Sequence, residues 1–503
     1  MSSFTPHRSS QRAGRDGFPQ MLRAEWTRSR SARGWALAMA ASVLITVSLG
    51  LLIAGGARST CVTGKGEGPC PAPLLGPDGT AVSDKYYFIH QPLKGNGSIT
   101  ARVSDMTGQI RLPDAVPGVR NVKEGVVPWA KAGLLVRQSL KQGTPYAAVM
   151  LTGAHGVRMQ HNFTHDVPGG PHNGPQWLRL TRSGDTITGY ESDDGKTWTA
   201  VSPVKLTGLP ETVEIGLFAT SPGALWDMAQ AFAQATATFD QIKLQGANGS
   251  WRRDDVGVVL ESDGKTPHHP GGVVESGDKL IVTGGGDIGP ATVEGGLRAD
   301  LLLIGGALGL IPVLVAAVTF FTTEYRRRLI GTSPPAEPHP GRLLAAKAVV
   351  VGVVAFVAGL VTSGVVVPVG LAMLRANQNP IQPISLGTEL RVIVGYAALT
   401  AAAAVLALGL AALVKRGIVA IGLAVALVVV PYLLATAGLA PWLLAVTPAA
   451  GFAITQSVPT FVHVDVAQSV LGGYYPLSPW AGLTVTCAYA AIALGAAIVK
   501  RAA

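Results

Sequence analysis

Two short segments look at first like phosphate-binding chemistry. Gly195-Lys-Thr197 and Gly264-Lys-Thr266 reproduce the end of a phosphate loop, in which backbone N–H groups and a lysine cradle a nucleotide. That loop needs a further glycine five residues before its second glycine, where this chain has Tyr190 and Val259. Neither segment is therefore expected to bind ATP. His155, His161, His165 and His172 could ligate a metal, but their spacing is loose and no cysteine lies nearby, so solvated loop histidines are expected and no metal. No pair of carboxylates stands at a spacing that suggests hydrolysis, and no catalytic residue is assigned. Cys61 and Cys70 bracket a short Gly/Pro-rich loop and are expected to form a disulfide in an oxidising exterior, while Cys487 stays a lone thiol.

The elements that must position these residues fall into two kinds. Of the 503 residues, 48% are hydrophobic and only 14% charged, yet the formal net charge is +10. Six segments are long and apolar enough to span a bilayer: Trp35 to Gly55, Leu301 to Thr322, about Leu344 to Leu374, about Val392 to Val414, Gly417 to Ala437 and Trp480 to Val499. The tail through Arg33, the 324–347 loop, Lys415-Arg416 and Lys500-Arg501 together carry 16 basic and 4 acidic residues, against 22 basic and 23 acidic in 57–298. By the positive-inside rule both termini are cytoplasmic and 57–298 is external. The excess charge thus describes orientation in the plasma membrane, and nucleic acid is not an expected partner. The first span is read as an uncleaved anchor, because Arg58 interrupts the small residues a signal-peptide cleavage site would need. Within the spans no Asp, Glu, Arg or His stands at mid-depth and Lys347 lies near an end, which disfavours a proton-driven transporter.

The segment Phe18 to Arg33 places Met21, Leu22 and Trp26 at helical spacing with arginines elsewhere around the helix, as in an amphipathic helix at a membrane interface. After the second span, Glu324 and Arg328 form an i,i+4 pair on a short helix that the prolines of 334–340 then stop. LRAEWTRSRSARGW before span one, and TEYRRRLIGTSPP with PGRLLAAK between spans two and three, resemble bacterial type-two ABC exporter permeases, those of high-GC actinobacteria most closely. The likeness takes in the tail, the six spans and a final external stretch from Pro441 to Trp480, roughly half the chain. It implies an interfacial elbow helix at 18–33, carrying Leu22, Arg23, Glu25, Trp26, Arg28, Arg30 and Arg33. It also implies an ATPase-coupling segment of Glu324, Tyr325, Arg326, Arg327, Arg328, Leu329 and Ile330 within a cytoplasmic loop at 323–343. The implied partners are two ABC ATPase subunits, which hold ATP and Mg, and a second permease copy or paralogue; this chain itself holds no cofactor. The large insertion between spans one and two departs from many relatives.

That insertion reads as β-structure over 85–245: short alternating runs such as Leu178 to Thr181 and Thr186 to Glu191 are joined by tight turns at Ser183-Gly-Asp185 and Asp193-Asp-Gly195. Trp129 to Arg137, Trp177 to Arg182, Tyr190 to Trp198 and Ile215 to Phe218 resemble concanavalin A-like jelly-roll domains. Such domains often bind carbohydrate. Tyr87, Trp129, Trp177 and Trp198 could stack on a pyranose face, with core packing the ordinary fate of each ring. The expected fold is a multi-domain membrane protein, a six-helix α-helical transmembrane bundle plus an extracytoplasmic β-sandwich. Its parts are a flexible basic tail (1–17), the elbow (18–33), the first transmembrane helix (34–56), an external linker with the disulfide loop (57–84), the sandwich (85–245), an external β-rich stalk (246–298), and helices two to six (299–503). The function expected is the permease subunit of an ATP-driven exporter of unidentified substrate, its external domain capping the exit, recruiting substrate or holding cell-wall glycan. A membrane-anchored glycan receptor or sensor without transport is the alternative.

Overall fold

Backbone in an apolar setting must pair internally, as a helix or a closed barrel, and uncharged runs of about 20 residues suit the helix. The computed structural model describes residues 18–31, 33–63, 66–113, 121–172, 174–226, 229–261, 263, 265–291, 295–326, 340–464 and 470–502. Its helices are α1 (Phe18–Ser31), α2 (Arg33–Gly56), α3 (Gly306–Arg326), α4 (Pro340–Ala376), α5 (Leu386–Val414), α6 (Gly417–Thr436), the single turn α7 (Leu443–Val446) and α8 (Pro479–Ala502). Six of them are long and apolar enough to cross a membrane, and they pack into one bundle with a shared apolar core. Small residues set the spacing: a Cβ on Gly409 of α5 would lie 2.9 Å from the backbone nitrogen of Leu494 on α8. The residues after α6 are not the simple external stretch expected from the sequence. The 3₁₀ helix Pro448–Thr455 is wholly buried and packs among α5, α6 and α8 before the chain leaves the bundle again.

Residues between α2 and α3 form an antiparallel β-sandwich of a seven-stranded and a nine-stranded sheet. Ile89, Leu134, Val136, Leu178, Leu180, Ile187 and Leu217 fill the space between the sheets. The nine-stranded sheet shows the alternation its sequence announces, with Leu178 and Leu180 inward and Trp177 and Arg179 outward. The strands Lys131–Arg137 and Tyr146–Thr152 of the other sheet are buried on both faces, which explains their nearly continuous apolar runs. A second cluster, with Tyr86, Phe88, Leu135, Tyr146, Phe163 and Phe218, covers that further face.

The sandwich does not end at 245, and 246–298 is not a stalk. Strand Arg252–Val256 pairs with Tyr86–Lys94 at the edge of the seven-stranded sheet, and Gly272–Ser276 with Lys279–Gly285 extend the nine-stranded sheet. Strand Ile288–Pro290 returns to pair with Val82–Asp84, so part of the presumed linker also belongs to the domain. The reason is electrostatic as much as geometric. His90, fully buried, contacts Glu214 through Nδ1 at 2.6 Å and Asp254 through Nε2 at 2.8 Å, the second from the segment read as stalk. Burial opposes protonation of His90, but its hydrogen bonds to Glu214 and Asp254 outweigh it and raise the imidazole above its ordinary value.

A raised histidine stabilises the fold fully below its unfolded value near 6.5, and the contribution fades as pH rises through the folded value. His90→Gln is therefore expected to cost about 2 kcal/mol in thermal unfolding of the intact chain at about pH 5.5 and distinctly less at about pH 9. Equal costs at both pH values would remove the charged-histidine account.

Candidate functional site

The first four helices of the chain meet at one polar contact. In α1, Glu25 and Ser29 lie four residues apart on the face that packs against α4, and both are buried. Lys347, in the second turn of α4, is 2% exposed and its Nζ lies 2.8 Å from Oε2 of Glu25, itself 6% exposed. The same ammonium sits 5.3 Å from the Phe320 ring of α3, and Phe320 packs 5.4 Å from Trp35 of α2. Helices α1 to α4 are thus tied together at this node. The sequence pattern suggested an interfacial helix with Met21, Leu22 and Trp26 at helical spacing; Met21 and Leu22 are half-buried and Trp26 is 38% exposed, while the face turned to α4 is the one that carries Glu25 and Ser29. Lys347, enclosed by apolar helices, takes the one carboxylate that α1 offers. Arg23 and Arg28 consequently point outward, Arg30 lies in α1 and Arg33 opens α2.

Glu324, Tyr325 and Arg326 form the last residues of α3, beginning four residues after Phe320. Arg327, Arg328, Leu329 and Ile330, with most of the 323–343 loop, fall outside the described residues, as do the tail at 1–17 and Gly264. Cys61 and Cys70 are bonded across the small hairpin Thr60–Thr63 and Gly66–Pro69, and Cys487 is an exposed thiol on α8.

The two phosphate-loop lookalikes are occupied by their own aspartates. Asp194 Oδ1 accepts hydrogen bonds from the backbone N–H of Lys196 and of Thr197, each at 2.7 Å. Those bonds hold its carboxyl down at about 2. Asp263 likewise accepts from Lys265 and Thr266 at 2.8 Å. The N–H groups that a phosphate would use are already filled by carboxylates, which would also repel it.

The four aromatic candidates are divided between the sheets. Trp129, before strand Lys131–Arg137, is 3% exposed, stacks on His155 at 4.0 Å and carries the Arg158 guanidinium at 5.2 Å. It is a packed ring rather than an exposed stacking platform. Tyr87 is half-buried against Gly271, where a Cβ would come within 2.6 Å of the ring. Trp177 and Trp198 belong with the nine-stranded sheet: Gly195, at φ +68°, folds its loop onto Trp177, and Arg179 lies 3.8 Å from the centre of the Trp198 ring. His161 and His165 stack at 4.3 Å, and burial followed by the His165 charge pushes His161 down to about 4. Among the described residues no group of three or more His, Cys, Asp or Glu could hold a metal ion.

A second centre was invisible in the sequence. The segment after Pro448–Thr455 reaches the sandwich, where buried His463 donates from Nε2 to the Phe163 carbonyl at 2.8 Å. Burial, then the Lys131 charge, push His463 below its usual value and keep it neutral for that role. Beside it lies a cavity of about 330 Å³ lined by Lys85, Trp129, Phe232, Asp255, His269, Asp287 and His463 among others. Asp255 accepts from Gly271 N–H at 2.7 Å, and burial raises its carboxyl. Asp287 is held by Lys131 at 2.7 Å. The arrangement can accept a small polar molecule between the β-domain and the His463–Val464 segment. No local motif signals it, because its walls come from eight separate stretches of chain, from Ser83 to Val464.

The chain matches no family model and no curated protein. Among solved structures, a functionally unknown protein from Saccharomyces cerevisiae aligns over 32% of this chain and 74% of its own, at 13% identity and a TM-score of 0.19. A mutant of the GH43 protein BlXynB from Bacillus licheniformis aligns over 30% of this chain and 27% of its own, at 15% identity and a TM-score of 0.18. Likenesses this slight add nothing to what the strand order itself shows.

Two outcomes follow from the geometry. Lys347→Met alone leaves a buried carboxylate unpaired and is expected to cost about 3–5 kcal/mol in thermal unfolding, whereas Glu25→Gln combined with Lys347→Met recovers most of it. Single and double variants of equal stability would show that the charges are not coupled. Trp129→Ala is expected to cost about 3 kcal/mol or more through lost packing, far more than Trp198→Ala in the same assay.

Proposed function

We propose that this chain is the membrane-spanning subunit of an ATP-driven exporter, with both termini in the cytoplasm and the sandwich outside. The observation that carries the proposal is the node itself. An N-terminal amphipathic helix is ion-paired to α4 and, through Lys347 and Phe320, joined to the end of α3 from which the 324–330 segment continues. A rigid contact of this kind is what an engine on another chain needs in order to move a helix bundle as a unit. The resemblance of the same segments to type-two permeases points in the same direction. ATP and Mg would be handled by two partner ATPase subunits, and a second permease copy or paralogue would complete the pathway. The distribution of basic residues and the Cys61–Cys70 disulfide support the orientation.

Copurification in mild detergent provides the test. The full chain is expected to bring down an ABC ATPase subunit, and Glu324→Ala with Arg328→Ala is expected to abolish it while leaving the thermal stability of the bundle unchanged. If no ATPase accompanies the wild-type chain, the reading fails. The alternative, a glycan receptor without transport, has in its favour the half-buried Trp177 and Trp198 on the nine-stranded sheet. It would be preferred if the intact chain bound cell-wall glycan, Trp198→Ala removed that binding, and no ATPase were recovered.

A further inference from the structure

Glu25 is the sole acidic residue of α1, and its burial against Lys347 leaves the exposed part of that helix with cations only, Arg23 and Arg28. Beside this contact a groove of about 410 Å³ runs between α1 and α4. Its α4 wall includes Val349 and Val353, which are 44% and 46% exposed, and its α1 wall includes Leu22 and Trp26. Polar character is confined to the α1 side, at Arg23 and Thr27, and the Thr27 hydroxyl is already donated to the Arg23 carbonyl at 2.9 Å.

We propose that this groove binds one anionic phospholipid, with an acyl chain along Val349 and Val353 and the phosphate on the Arg23 guanidinium. The floor belongs to a 36-residue apolar helix long enough to span the bilayer, so a lipid chain is the natural material beside it. The rim selects among lipids by net charge: the Arg23 guanidinium pairs with any lipid phosphate, but phosphatidylcholine brings its own quaternary ammonium beside that phosphate, whereas an anionic lipid leaves the negative charge to Arg23. Trp26 stands at the same mouth, where indoles favour the boundary between chain and headgroup. The inference depends on the chain being a membrane protein and is independent of any ATPase partner.

Native mass spectrometry of the full chain in mild detergent tests it, with phosphatidylglycerol and phosphatidylcholine of identical acyl chains supplied at equal concentration. Wild type is expected to retain one phosphatidylglycerol with about fivefold preference, the effect of roughly one cation at a lipid surface. Arg23→Gln, a surface change, is expected to abolish the preference, and Val353→Trp, which fills the groove, to reduce retention of both lipids. Soluble glycerol phosphate is expected not to displace the bound lipid. Equal retention of the two lipids by wild type, or an unchanged preference in Arg23→Gln, would overturn the proposal.

Discussion

A charge enclosed by apolar structure cannot be left alone, and this constraint organises the molecule at both ends. An isolated ion in a low-dielectric interior costs several kcal/mol, so a fold that buries one must bring a counter-charge or carbonyl to it. Here the counter-charges come from far along the chain. Lys347 takes Glu25, Arg137 takes Asp84 and the Lys141 carbonyl, Lys131 takes Asp287, and His90 takes Glu214 and Asp254. The Lys347–Glu25 pair joins two helices, and the His90 contacts reinforce strands already paired through their backbones. Hydrophobic burial supplies the larger driving force, and these pairs add specific contacts between particular remote residues.

The same constraint explains how a large β-domain can be inserted between two membrane-length helices. An inserted domain must leave and re-enter the bundle at nearly one place. The strands Val82–Asp84 and Ile288–Pro290, close to the two ends of the insertion, pair with each other. The chain on either side is gripped by the α4–α5 connection: Ser59 donates to Asn379 at 2.9 Å, and Leu297 exchanges backbone hydrogen bonds with Pro380 and Gln382. Arg298 then pairs with Asp300 and donates to the Leu471 carbonyl at 2.6 Å, while Ser457 donates to Asp300. With His463 bound to Phe163, the sandwich is fastened at several points and does not hang from a flexible tether.

The node and this junction lie at opposite ends of α2. Trp35 sits at the node, whereas the Ala54 carbonyl, five turns later, accepts from Asn377 beside the junction. A helix of 24 residues is about 36 Å long, so displacement at the node has a stiff path to the base of the β-domain. In the exporter proposal this is the mechanical link between the ATPase side and the external domain.

Periodicity and charge made the two-part architecture legible, since they are local properties of the chain: bilayer-length apolar runs appear as α2 to α6 and α8, and alternation over 176–192 appears as paired strands. Tight turns such as Ser183-Gly-Asp185 were equally local, because glycine marks the positive φ they require. What tertiary structure alone decided was partnership. The glycine-rich 246–298 segment carries weak strand signals, and only pairing with 86–94 and 229–245 makes it part of the sheets. Glu25 looked like one more polar residue on an interfacial helix until Lys347 was brought against it. Trp129 could have faced a sugar or the core, and contacts with His155 and Arg158 chose the core. Sequence spacing fixes which face of an element a residue occupies relative to its neighbours, but a buried charge or ring chooses among remote partners, and that choice exists only once the chain has folded.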